Sequence, residues 1–216
     1  MNFSLEIGPN TDLETIPAVS DVYITMLPGG DYKETAQKAI ELVKKELNAS
    51  QTLIGFAGAP YTLASYMIEG ESTRSFLRVQ KLMASEPEWL SGFLELLEEL
   101  SFKYLSYQLE AGAEALMLFD SWAGQLSKRQ AKTFLQPVTK RLISRLKVFK
   151  KPIIYYPGEG SQRLSEAFEL EADVIHVDWR SSLSEAVKLA GLASQKLCLQ
   201  GNLEPQLLSF GSEDLV

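Results

Sequence analysis

A chain of 216 residues with 45% hydrophobic and 23% charged residues has the composition of a globular protein with a real core, not of a disordered one. Its formal net charge of −7 argues against nucleic acid and anionic membrane surfaces as main partners, and no apolar run approaches the roughly 18 residues a membrane helix needs. One cysteine, Cys198, excludes an internal disulfide; with no basic segment leading into an apolar stretch at the N-terminus, a cytoplasmic protein without a signal peptide is expected.

Taken in order, Phe3 to Ile7 alternates apolar and polar residues as a half-buried strand does, and Gly8-Pro9-Asn10 ends it. Nothing precedes this strand for it to pair with, and Pro17 and Pro28-Gly29-Gly30 predict an irregular stretch up to residue 30. Asp31 and Glu34 stand in a capping-box arrangement at the start of a helix whose apolar face is Ala36, Ala39, Ile40, Val43 and Leu47. Thr52 to Phe56 reads as a buried strand. Gly55 and Gly58 at its end either let the backbone turn sharply or serve simply as a packing device, and Pro60 fits the first position of a helix. Tyr61, Tyr66 and Glu69 then follow the strand's carboxyl end, where parallel α/β folds bind ligands.

Ser72 to Ala84 is predicted helical, and Pro87 starts a second helix with the buried stripe Leu90, Phe93, Leu94, Leu97, Leu100 and Tyr104. Ala111-Gly112 closes it. Ala115 to Phe119 is the next strand, ending at Asp120-Ser121-Trp122-Ala123-Gly124. Ser127 and Gln130 form a capping box, and Pro137 breaks or kinks the helical run that follows. Pro152 to Tyr156 is a third strand, ended by Pro157-Gly158, with a short helix over 161–170. Asp173 to Val177 is a fourth, ending at Asp178-Trp179. Ser182 and Glu185 cap another helix, and Lys196 to Leu199 is a fifth strand, ending at Gln200-Gly201-Asn202-Leu203.

Apolar strands alternating with helices imply a parallel α/β fold with helices covering both sheet faces or the outside of a barrel. A complete (β/α)₈ barrel typically needs about 250 residues, so the chain is short for one. Polar groups recur just after strands: Tyr66, Glu69, Asp120, Ser121, Glu159, Asp178, Gln200 and Asn202. A ring of such groups builds a site in barrel enzymes, although each could instead cap a turn or helix start. His176, between Ile175 and Val177, reads as packed, and Cys198 as a buried inert thiol. One His and one Cys cannot furnish the usual ligands of zinc, and no Gly-x-Ser-x-Gly, Walker A or Gly-x-Gly-x-x-Gly pattern appears.

The string from Gly55 to Gly70, Gly-Phe-Ala-Gly-Ala-Pro-Tyr-Thr-Leu-Ala-Ser-Tyr-Met-Ile-Glu-Gly, closely resembles the signature segment of the uroporphyrinogen decarboxylases, cofactor-independent enzymes of haem and tetrapyrrole synthesis. Phe119-Asp120-Ser121-Trp122-Ala123-Gly124, Val177-Asp178-Trp179 and Leu199-Gln200-Gly201-Asn202-Leu203-Glu204-Pro205 resemble further segments of the same family, in its order and spacing. The resemblance implies a (β/α)₈ TIM barrel, usually a homodimer. It implies decarboxylation of the four acetate side chains of uroporphyrinogen to give coproporphyrinogen, without metal or prosthetic group. By matching motif, Tyr66 and Ser121 are the implied substrate-binding residues, with Phe56 and Phe119 as apolar wall.

The family's Phe-Ser-Asp, Arg-Gln-Ala-Gly-Arg and Asn-Leu-Gly-His-Gly segments have no counterpart here. The first two belong before residue 1 and the third after Val216. Residues 1–216 are therefore expected to be an incomplete barrel, about strands three to seven of eight, with no catalytic residue in this segment. Glu159 stands where relatives often carry a Lys, and the net charge sits awkwardly with a polycarboxylate substrate, so a local basic site has to be found. Rival readings are a non-catalytic relative that binds tetrapyrroles or a partner, and a methyltransferase-like cousin whose zinc ligands are absent. Open strand edges favour association: the isolated chain is expected to run larger than a monomer in light scattering, and a monodisperse monomer would contradict this.

Overall fold

The computed structural model describes residues 3–7, 22–26, 32–70, 75–160, 163–191 and 197–209. Strand β1 (Phe3–Ile7) pairs antiparallel with β2 (Val22–Met26), Phe3 opposite Met26 and Ile7 opposite Val22. The first strand thus finds its partner downstream, and the expected irregular stretch contains a strand. Val22-Tyr23-Ile24-Thr25-Met26 is rich in β-branched and aromatic residues, a signal that the flanking prolines had masked. The Asp31 cap and the turns at 8–10 and 28–30 lie outside the described residues.

The remainder alternates helix and strand: α1 (Tyr32–Glu46), β3 (Ile54–Gly58), α2 (Pro60–Glu69), α3 (Leu77–Ser85), α4 (Pro87–Glu110), β4 (Ala115–Phe119), α5 (Lys128–Gln130), α6 (Gln136–Leu146), β5 (Ile153–Tyr156), α7 (Leu164–Phe168), β6 (Val174–Val177), α8 (Leu183–Ala190) and β7 (Cys198–Gly201). Strands β3 to β7 form one five-stranded sheet, in chain order and parallel throughout. Each strand lies beside its successor, as in a barrel; a doubly wound sheet reverses its strand order. The fold is an arc of a (β/α)₈ barrel.

The two faces of that arc differ. Ala57, Leu116, Leu118, Ile153, Tyr155, Ile175 and Val177 point outward and are buried with Leu105, Leu142, Ile143, Leu164, Phe168 and Ala186 of the surrounding helices. The alternate residues point inward, and that face is the more open one: Ile54 and Phe56 are exposed, and Met117, Phe119, Tyr156 and His176 are half-buried, while Ile154 is buried. Cys198, opposite Val174 at the start of β7, is exposed. Helices thus cover the outside of the arc only, the second of the two arrangements expected, while the expectation of a buried thiol at Cys198 fails. In a closed barrel the strands cover one another's inner face across the axis, whereas here Ile54, Phe56 and Cys198 stand exposed.

Gly55 lies inside β3, not at its end, because the strand runs two residues further than its most apolar part. A Cβ there would come within 2.7 Å of the Gln108 Oε1. That space lets the Gln108 amide accept from the Phe56 N–H at 2.8 Å and donate to the Phe56 carbonyl at 2.9 Å, which satisfies both groups on a strand with only one sheet neighbour among the described residues. Both sequence-predicted caps in the described region form: the Ser127 Oγ accepts from the Gln130 N–H, and the Ser182 Oγ from the Glu185 N–H. Pro137 does not break its helix. The ladder widens to π spacing over Ala131–Leu135, immediately before α6 restarts with Pro137 in its first turn, where the missing N–H costs nothing.

The stripe expected on α4 is buried at Leu90, Phe93, Leu94 and Leu97. On α1 only Ala36 of the expected face is buried, and Val43 is exposed. The α1 helix packs mainly on α4, and the Lys44 ammonium donates to the Gly112 carbonyl at 3.0 Å. Helices α4 and α6 are joined by Glu98, whose side chain is 3% exposed and which pairs with Arg141 and, at 2.9 Å, with Arg145. Arg145 also holds Glu99 at 2.7 Å and stacks on Phe102, 3.9 Å from the ring centre.

The carboxylate is the buried member of this network, while the arginines reach water. Removing both arginines strands a buried charge, so the Arg141→Met/Arg145→Met protein should lose roughly 3–5 kcal/mol of stability in urea titration. Glu98→Gln, which removes that charge, should cost less, about 1–2 kcal/mol. The reverse order would show that burial of Glu98 is not what makes the network matter.

Candidate active-site cavity

An open cavity of about 870 Å³ lies at the carboxyl ends of β4 to β7. Parallel strands put equivalent inward positions side by side, and here those positions are aromatic. Phe56 meets Phe119 edge-on at 6.0 Å, Phe119 meets Tyr156 at 5.9 Å, and Tyr156 meets His176 at 5.2 Å. His176 Nδ1 continues the row to the Gln200 side-chain oxygen at 3.2 Å. His176 is therefore not a core residue, as its apolar neighbours suggested. Ile175 and Val177 point outward to the helices, and the alternation of a strand turns His176 the other way, into the cavity. Burial, with Asp178 and Glu159 nearby, raises the pKa of Tyr156, which keeps its phenol neutral and able to donate.

Ser121 lines the cavity in the loop after β4. Tyr66 does not line it. It sits on α2, 45% exposed, its ring meeting that of Trp122 edge-on at 5.8 Å. The two residues are thus brought to the same end of the arc, with Trp122, the residue after Ser121, touching Tyr66. Phe119 lines the cavity and Phe56 extends the same aromatic row at its open side.

Asp120 and Glu69 turn away from this space. The Glu69 carboxylate is buried and accepts from the Val79 N–H at 3.1 Å, a long-range cap on the first turn of α3. Asp120 is 0% exposed. It accepts from the Thr62 hydroxyl of α2 at 2.9 Å and from the Tyr155 hydroxyl of β5 at 2.9 Å, while the Asp120 N–H donates to the Tyr156 carbonyl. The carboxylate clamps three elements and so fixes the loop that presents Ser121 and Trp122. Tyr155 and Thr62 gave no sign of this role in the sequence, where each looks like an ordinary core or helix residue.

The loops after β5, β6 and β7 supply the rest of the rim. Asp178, nearly buried, accepts from the Gly160 N–H at 2.9 Å and from Arg180 Nη1 at 3.1 Å. The same Nη1 lies 3.5 Å from Glu159, and the guanidinium stands 4.4 Å from the centre of the Trp179 ring. Asn202 donates to the Ser181 carbonyl at 2.7 Å. At Gly201, φ is +119° and a Cβ would lie 2.2 Å from the Val177 carbonyl, so only glycine lets the end of β7 close onto β6. Arg180 is the one cation among the described residues that line the cavity. It stands one position past the Val177-Asp178-Trp179 segment, and its proximity to the site was the missing signal.

Three segments singled out for their resemblance, at 119–124, 177–179 and 199–205, lie on different strands and converge on this one cavity. The model of the family "Uroporphyrinogen decarboxylase (URO-D)" matches residues 1–216. The chain belongs to the uroporphyrinogen decarboxylase family. A uroporphyrinogen decarboxylase of Thermodesulfovibrio yellowstonii is 40% identical over 177 residues, covering 82% of this chain and 50% of the relative. That of Bacillus pumilus is 41% identical over 167 residues, 77% of this chain and 46% of the relative. That of Helicobacter pylori is 37% identical over 213 residues, 96% of this chain and 62% of the relative. The chain spans about half the length of the curated relatives it matches. Among solved structures, a methyltransferase from Methanosarcina mazei has the same fold, with a TM-score of 0.66 at 17% identity over 85% of this chain and 56% of that one. Among the described residues no cluster of three or more His, Cys, Asp or Glu side chains could hold a metal ion, and no helix is long and apolar enough to cross a membrane.

Burial raises the Asp120 pKa from 3.8 to about 6, against the pull of its two hydroxyl donors. The folded protein then binds this proton more tightly than the unfolded chain, so stability falls as pH rises from about 4 to about 6, by roughly 3 kcal/mol, and stays lower above that window. Asp120→Asn should remove this component. The difference in urea stability between variant and parent should move in the variant's favour between pH 4.5 and pH 7, and a constant difference would show that Asp120 does not titrate there.

Proposed function

We propose that this cavity binds a tetrapyrrole bearing several carboxylates, and that the chain supplies part of the barrel of a uroporphyrinogen decarboxylase. The complete enzyme, a homodimer, would convert uroporphyrinogen to coproporphyrinogen by removing four acetate carboxyl groups without metal or prosthetic group. The observation that carries this reading is the convergence of three family segments on a cavity floored by aromatic rings. A flat macrocycle offers apolar area to such a floor, and its peripheral carboxylates need donors at the rim.

In this reading Ser121 and Tyr66 donate their hydroxyls to substrate carboxylates, and Phe119 and Phe56 face the ring. Loss of CO₂ from a pyrrole acetate leaves a carbanion-like centre, for which a protonated pyrrole is the electron sink. An anion fixed near the pyrrole N–H groups would stabilise that state. We assign that anion to no residue of this chain, because Asp120 faces away from the cavity and Asp178 is already paired with Arg180.

The reading is tested by fluorescence quenching of uroporphyrin with the 216-residue chain, alongside an assay for coproporphyrinogen formation. Binding without turnover is expected. Ser121→Ala and Tyr66→Phe should each weaken binding about 3- to 10-fold, the net worth of one hydrogen bond that stays partly open to water. Absence of binding overturns the reading, and turnover at the rate of a complete enzyme overturns the absence of catalytic residues.

A further inference from the structure

A polyanionic ligand in a chain of net charge −7 needs a local cation, and the cavity holds one among its described lining residues, Arg180. Three features set this arginine apart from a solvated surface charge. Its Nη1 is anchored on Asp178, at 3.1 Å from Oδ1, and that carboxylate is itself fixed by the Gly160 N–H. Its guanidinium lies against the Trp179 ring, which holds the plane of the fork. All its side-chain hydrogen bonds to described residues use Nη1, so Nε and Nη2 keep their N–H donors for something else. A guanidinium held at one nitrogen and stacked on one face is a preorganised receptor for a carboxylate, which it can grip with two parallel N–H bonds.

We infer that Arg180 is a carboxylate-binding residue of this cavity, gripping an acidic side chain of the ligand on the rim formed by β6, away from Tyr66 and Ser121 at the β3–β4 end. Glu159, 3.5 Å from Nη1 and exposed, acts against it by offering a competing carboxylate to the same guanidinium. The assignment rests on the tetrapyrrole reading of the cavity, and it deepens that reading by naming the charge that meets a ligand carboxylate.

The probes are uroporphyrin and coproporphyrin, which differ in their acetate carboxylates, titrated into the 216-residue chain at low and moderate salt. Arg180→Gln should weaken uroporphyrin binding about tenfold and flatten its salt dependence, and Arg180→Lys should recover only part of the loss because an ammonium lacks the fork. Glu159→Gln should act in the opposite direction and tighten binding about two- to threefold, a gain that misfolding cannot mimic. If the parent binds uroporphyrin and neither position changes its affinity, the inference about Arg180 falls while the cavity reading stands. If Arg180→Gln weakens binding without flattening its salt dependence and Glu159→Gln changes nothing, Arg180 serves the loop and not the ligand, and the inference is again overturned. If the parent binds neither porphyrin, the cavity reading fails and takes this inference with it.

Discussion

The site depends on a carboxylate that never reaches it. Asp120 is fully buried at the end of β4, held by hydroxyls from α2 and β5. A buried carboxylate is costly unless its oxygens are satisfied, so the geometry around it has little freedom. Thr62 must stay in the first turn of α2, Tyr155 must point outward from β5, and the chain after Asp120 must leave β4 in one direction. Trp122 and Ser121 follow from that direction, and Tyr66 follows from the position of α2 against Trp122.

The same logic places polar groups on the other strands. Asp178 ties the loop after β5 to the loop after β6 through the Gly160 N–H and Arg180, and Asn202 ties the loop after β7 to Ser181. Each loop is held by a side chain from a neighbour, which keeps the rim of the cavity in register although the sheet is open. The aromatic row beneath needs no such ties. It is a consequence of parallel pairing, which lines up the inward residues of successive strands.

The open inner face explains several features at once. Phe56 and Ile54 are exposed, and Cys198 is accessible. In a closed barrel the side chains of the opposite strands fill that space. Family relatives are about twice as long as the matched region, which agrees with an arc of the wheel.

Strand and helix positions were legible in the sequence wherever apolar runs met turn residues, because local periodicity reflects burial directly: Ala115 to Phe119 and the Ser127 and Ser182 caps formed as read, and the α4 stripe is buried at four of its six positions, with Leu100 and Tyr104 half-buried. The motifs also identified Ser121 and the loops that surround the cavity, since those segments are contiguous in the chain. What the tertiary structure alone decided was direction and partnership. His176 reads as core because its neighbours are apolar, yet a strand turns successive residues to opposite faces, and only the placement of the helices says which face is inside. Asp120 reads as a site residue because of where it follows its strand, yet Thr62 and Tyr155, distant in sequence, claim both its oxygens. Arg180 was not singled out in the sequence at all; Asp178 and Trp179 hold it at the cavity, and a charge acquires its meaning from what surrounds it in space.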